Sequence, residues 1–147
     1  MHEFKTIVLP IDFSRYCEGA AAYASWIASR SGATIHVVHV IVNPADEMYE
    51  PGEVAHWVLV EHAESRARDL MIEAVDRCIP PGITVERHIA HGDPYGKIAA
   101  VADTIGADLI VMSSHGRGGL ANLVMGSVAE KLVRHATCPV LVVPRKS

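Results

Sequence analysis

The chain has 147 residues, half of them hydrophobic, a formal charge of −4 and a pI near 6.1. That length fits one domain, residues 1–147, with a core of ordinary size. The negative balance and the lack of any dense Lys/Arg run exclude a nucleic-acid backbone as partner. Met1-His2-Glu3-Phe4-Lys5 lacks the basic-then-apolar layout of a signal peptide, and no apolar run is long enough to span a bilayer. The expected location is therefore the cytoplasm, with no membrane partner. The three cysteines, Cys17, Cys78 and Cys138, are scattered and form no C-x-x-C, so they read as reduced, small apolar residues, Cys17 and Cys78 on buried helix faces.

Phe4 to Ile11 is apolar and β-branched, which suits a strand that Pro10 brings to its end. Cys17, Ala20, Ala21, Ala24, Ile27 and Ala28 then recur at helical spacing, with Ser14 as N-cap and Gly32 as stop. The alanines on that face imply close packing on a sheet. Thr34 to Val42 is a second strand, and its lack of polar/apolar alternation places it centrally. Asn43 to Gly52 reads as a loop-like insertion. A long helix follows, with Ala67, Leu70, Met71, Ala74, Val75 and Cys78 as its apolar stripe, and Pro80-Pro81-Gly82 ends it.

Ile83 to Ala90 alternates, as a strand nearer the sheet edge does. Asp93-Pro94 opens another helix, with Asp93 as N-cap, Pro94 in the first turn and Gly106 as stop. Asp108 to Met112 is the fourth strand, a helix starts at Ser127, and Pro139 to Val143 is the fifth strand. Trp26 and Trp57 fall on helical patterns and read as packing residues.

Strands alternating with helices argue for a Rossmann-like α/β fold of five parallel strands with four helices on two faces, and right-handed crossovers leave a few topologies; with strand 1 between strands 2 and 4 the order is 3-2-1-4-5, the order expected here. In that order the winding reverses between strands 1 and 4, and ligands bind outside the carboxyl ends of the strands at such a reversal. The segments brought together there are Pro10-Ile11-Asp12 and Ser113-Ser114-His115-Gly116-Arg117-Gly118-Gly119. The second is a loop of small residues that lets backbone N–H groups approach an anion. It leads to Gly126-Ser127, where Ser127 and Glu130 have the spacing of a capping box and mark a helix N-terminus, a favoured place for phosphate. A turn-forming surface loop gives the same glycines. Asp12 either meets a ligand or its metal, or caps the first helix with Ser14. His115 either meets a ligand or braces the loop, and Arg117 lies either over a phosphate or in solvent.

These residues resemble the universal stress protein family over essentially the whole chain. The nucleotide-binding branch carries G-x-x-G, nine residues, then G-[S/T]; here Ser113-x-x-Gly116 is followed, after nine residues, by Gly126-Ser127. The tail from Val128-Ala129-Glu130-Lys131 to Cys138-Pro139-Val140-Leu141-Val142-Val143 is also similar to the family. The resemblance implies adenine near Pro10-Ile11-Asp12 and Val40, which follows His39, with ribose and phosphates along Ser113, Gly116, Gly126, Ser127 and Val128. It also implies ATP as the cofactor, with Mg2+ reaching Asp12 through the nucleotide, and a homodimer joined partly through Val140, Leu141, Val142 and Val143. The function it implies is a stress-response sensor or regulator acting through nucleotide-dependent conformation or an unknown protein partner. Ser113 departs from the pattern: its Cβ either obstructs a backbone contact or its hydroxyl supplies a hydrogen bond.

The loop is not a Walker A motif, since the lysine of G-x-x-x-x-G-K-[S/T] is missing, so the expectation is no enzyme and no catalytic residue. A slow ATPase and a nucleotide-independent homodimeric interaction module are the alternatives. Among the nine histidines, His36/His39 and His88/His91 are each three apart, which on a strand sends the side chains to opposite faces. His56 and His62 are six apart on a helix, and no protein metal site is expected from these spacings.

Overall fold

The computed structural model describes residues 3–42, 54–116 and 125–145. Five strands, β1 (Thr6–Pro10), β2 (Thr34–Ile41), β3 (Val85–His91), β4 (Leu109–Ser113) and β5 (Val140–Val143), alternate with four helices among those residues. The helices are α1 (Cys17–Ser31), α2 (Val54–Cys78), α3 (Pro94–Ile105) and α4 (Ser127–His135). All pairings are parallel and the order is β3-β2-β1-β4-β5, so the expected 3-2-1-4-5 sheet is present, with β3 and β5 at its edges.

The sheet is buried on both faces because its central strands carry apolar residues at successive positions. Ile7, Leu9, Ile35, Val37 and Val111 face α1 and α2, packing on Ala20, Ala21, Ala24, Ala28, Met71 and Val75. Val8, Val38, Ile110 and Met112 face α3 and α4, against Ile98, Ala102, Ala129 and Leu132. The four alanines of α1 leave no bulk between helix and sheet, as their spacing predicts. Each fully buried aliphatic side chain here contributes about 1.5–3 kcal/mol.

The helix boundaries follow local chemistry, with two differences from the sequence expectation. Gly32 and Gly106 take the left-handed conformation at φ 75° and 65° and stop α1 and α3, and Asp93 accepts a hydrogen bond from Gly96 N–H at 2.8 Å with Pro94 in the first turn. Ser14, however, does not cap α1. The helix starts at Cys17 after Tyr16, and the Ser14 N–H instead donates to Asp12 Oδ1 at 2.9 Å. Nor does Ser127 form a capping box: it is the first helical residue of α4, and Gly126, which has no side chain to cap with, precedes it as N-cap. Strand β4 begins one residue after Asp108, whose carboxylate accepts from the Lys5 and Thr6 N–H groups at 2.8 and 2.9 Å and ties the start of β1 to it.

Trp26 and Trp57 are not packing residues. They are 58% and 60% exposed, Trp26 lying under the Arg30 guanidinium and Trp57 edge-on to His56. Cys17 is buried and Cys78 half-buried, on helices that pack against the sheet. The Asn43 to Gly52 insertion lies outside the described residues.

Candidate functional site

The carboxyl ends of β1 and β4 meet as the strand order requires. Val38 carbonyl accepts from Ile11 N–H at 2.8 Å, which carries the β1–β2 ladder one step past Pro10 and delivers Asp12 to the crevice. Asp12 Oδ1 accepts from Ser14 N–H and, at 3.2 Å, from the Cys17 thiol, while Asp12 N–H donates to Cys17 Sγ at 3.4 Å. Asp12 therefore does not cap α1 with Ser14, as one of its two readings had it; it closes the turn that precedes the helix. Its other oxygen, Oδ2, faces Gly116: a Cβ on Gly116 would stand 2.6 Å from it. Real Cβ atoms do not approach oxygen that closely, so this contact admits glycine at position 116 while Asp12 keeps its place.

Phe13 makes the turn out of β1 at φ 66°, a left-handed conformation uncommon outside glycine and asparagine. Its ring stacks at a tilt on His39, with centroids 4.1 Å apart, and His39 Nδ1–H donates to the Ile11 carbonyl at 2.9 Å. His39 and Phe13 therefore hold the β1 end in shape, and neither role was visible in the one-dimensional pattern. Val40 is half-buried among the residues of the α3/α4 face.

On the β4 side the loop is wound on its own small side chains. Ser113 Oγ–H donates to the His115 carbonyl at 2.8 Å, so the hydroxyl that stands where the resemblance expects glycine is used inside the loop. Ser114 N–H donates to the Val143 carbonyl at 2.9 Å, and Ser114 Oγ lies 2.9 Å from His115 Nδ1. Ser114 and His115 are both buried, and His115 has the bracing contact that was one of its two readings. Gly126 N–H donates to the Ser114 carbonyl at 2.6 Å, and a Cβ on Gly126 would meet that carbonyl oxygen at 3.2 Å. The start of α4 is thus drawn against the end of β4, with Ser127 exposed and Val128 half-buried in the α3/α4 layer. Arg117, Gly118 and Gly119 lie outside the described residues.

Asp12, Ser113, His115, Gly116, Gly126, Ser127 and Val128 therefore lie at one end of the sheet, across the reversal point from one another. Burial and then the Asp12 charge push the Cys17 thiol up to about 12, so it stays protonated and serves as a hydrogen-bond donor, not a nucleophile. Arg15 and Arg145 stack on the Tyr16 ring at 5.5 and 5.3 Å from its centroid. They follow β1 and β5 and so add positive charge at the same end of the sheet; separation in sequence hid this pairing.

The histidines behave in part as their spacing dictates. His39 turns to the α1/α2 face and His36 to the opposite one. Register adds what spacing within a strand does not contain: His36 of β2 is opposite Glu86 of β3, and His88, two residues on, lies on the same face. His91 at the end of β3 pairs with Glu64 of α2 at 2.6 Å.

Comparison with known proteins agrees with this geometry. The universal stress protein family model matches residues 3–144. A universal stress protein of Thermus aquaticus is 37% identical over 142 residues, covering 95% of this chain and 98% of that protein. The solved structure of MJ0577, a universal stress protein of Methanocaldococcus jannaschii, is 28% identical and superposes with a TM-score of 0.87, covering 99% of each chain. A universal stress protein family member of Arabidopsis thaliana solved with AMP bound shares the fold at a TM-score of 0.68, with 20% identity over 97% of this chain and 93% of that one.

Proposed function

The chain belongs to the universal stress protein family, and from that premise we propose that the crevice between β1 and β4 binds an adenine nucleotide, ATP with Mg2+, whose occupancy sets conformation or partner affinity in a stress response. The observation that carries the reading is the meeting of Asp12 Oδ2 with Gly116, beside a helix N-terminus that Gly126 seats on the Ser114 carbonyl. The N-cap of α4 is Gly126, which has no side chain to cap with, so the first N–H groups and positive dipole end of the helix suit phosphate oxygens. Gly116 and Gly126 keep the cradle free of side-chain bulk. Asp12 fits a Mg2+ that also takes phosphate oxygens, since such sites use one or two carboxylates with the remaining positions filled by phosphate and water. That the fold accommodates an adenine nucleotide in the Arabidopsis protein supports the same class of ligand.

The role proposed is binding and not turnover, because the Walker lysine that would neutralise a transferring phosphoryl group is missing from the sequence. The protein acts as a homodimer through β5, an edge strand whose outer backbone groups are open to a second strand.

Calorimetric titration of nucleotide-stripped protein with ATP and Mg2+ tests the assignment. The parent binds one nucleotide per chain. Gly116→Ala, whose Cβ displaces the Asp12 carboxylate, weakens binding by about tenfold, the equivalent of ~1.4 kcal/mol. No heat of binding with the parent, or equal affinities for parent and variant, overturns it.

A further inference from the structure

A second group of polar side chains lies on the opposite side of β2 from His39. His36 is 8% exposed, on a face otherwise built from Val8, Val38, Ile98 and Ala102. Its Nδ1 is 2.8 Å from His88 Nε2 and 3.5 Å from Glu86 Oε2. One donor atom from each residue falls within 4.8 Å of the others. The rings of His36 and His88 lie with centroids 5.1 Å apart and planes 25° apart, so the two nitrogens face each other across their short contact.

We infer that His36, Glu86 and His88 form a binding site for a divalent d-block cation of the Zn2+ class, bridging β2 to the edge strand β3. Two imidazole nitrogens and a carboxylate oxygen are a borderline-soft N2O set that suits zinc and poorly suits Mg2+ or Ca2+, which take oxygen ligands. A tetrahedral ion with Zn–N of ~2.0–2.1 Å needs its two nitrogens about 3.3 Å apart. The observed 2.8 Å has to widen to that, and the rings have to turn so that the two facing nitrogens direct their lone pairs at the ion. Glu86, with its side chain 61% exposed, reaches in from solvent and gives the ion its way in, and water takes the fourth position.

The proton balance is simple. In the metal-free pair one ring N–H donates to the lone pair of the other ring. On binding, that ring moves its proton to its other nitrogen, so both imidazoles stay neutral and both facing lone pairs bind the ion. The site lies within the β2–β3 ladder and away from the Asp12–Gly116 crevice, so it does not rest on the nucleotide reading.

The test uses the full chain, stripped of metal with a chelator and titrated calorimetrically with ZnCl2 in the absence of nucleotide. One equivalent binds. His88→Gln and Glu86→Gln, both on an edge strand and checked for folding by circular dichroism, each lose about tenfold or more in affinity, while His62→Gln on α2 leaves it unchanged. Replacing Zn2+ by Co2+ gives visible absorption bands in the parent that His88→Gln abolishes. Absence of zinc uptake by the folded parent, or unchanged uptake by folded His88→Gln, overturns the proposal.

Discussion

At the scale of single residues, the β1 end of the crevice depends on contacts between groups that sequence patterns treat as unrelated. Cys17 reads as a small apolar helix residue, and it is buried as such, yet its thiol also holds the Asp12 carboxylate. This coupling has a pH consequence. The thiol ionises near pH 9 when unfolded and only at about 12 when folded. Its contribution to stability is therefore complete below pH 9 and is lost as the pH rises toward 12, because only the unfolded state releases the proton in that window. The slope is at most ~1.4 kcal/mol per pH unit. Urea denaturation on either side of pH 9 is expected to show a shallower alkaline decline for Cys17→Ser, which keeps a donor to Asp12 but does not titrate there. Identical declines in the two proteins would count against the buried thiol as the source. Gly116 illustrates the converse kind of coupling: the glycine was legible in the motif, but its physical reason, the carboxylate 2.6 Å from where a Cβ would stand, needed the fold.

At the scale of elements, the two edges of the sheet differ in character. On the inner side of β5, the Pro139 carbonyl accepts from Ile110 N–H and the Val143 carbonyl from Ser114 N–H. Backbone direction alternates along a strand, so the N–H and C=O groups of Val140 and Val142 face the open edge. If a second copy pairs there, Val142→Pro removes one outward N–H without breaking a bond to β4, and proline is tolerated at such an edge. Analytical ultracentrifugation is expected to find the parent dimeric and folded Val142→Pro monomeric or in measurable exchange. A dimer of unchanged affinity would move the interface elsewhere. The β3 edge carries His36, Glu86 and His88 at its seam with β2, and the histidine spacings gave no hint of it. Separation along one strand fixes which face a side chain takes; which residue stands beside it on the next strand is set by register, which depends on the packing of the whole sheet.

For the molecule as a whole, the elements and the parallel sheet were legible because apolar runs, breakers and helical stripes alternate, and the order of strands and the place where the winding reverses followed once strand 1 was set between strands 2 and 4, as the structure has it. Pro10, Asp12, Ser113, Gly116, Gly126 and Ser127 followed from that order, since the topology leaves them one end of the sheet to share. Three kinds of detail were not legible. Caps shifted by a residue or more at Ser14 and Ser127 because Asp12 and Gly126 satisfy the local geometry differently. Trp26 and Trp57 are exposed although they lie on helical patterns, because such a pattern does not tell which residues at the margin of the apolar stripe reach the sheet. The Phe13–His39–Ile11 brace joins residues far apart in sequence that only the β1–β2 pairing brings together. The central claim is that the crevice holds the nucleotide, and its most direct test is a titration of isotopically labelled protein with ATP and Mg2+ followed by amide chemical shifts. The account predicts that the amides of Gly116, Gly126, Ser127 and Val128 move together and saturate at one nucleotide per chain. Shifts centred instead on the cavity between α2 and β3, lined by Glu64, Arg68, Met71, Ile72, Arg87 and Ile89, would contradict it, as would no shifts at all.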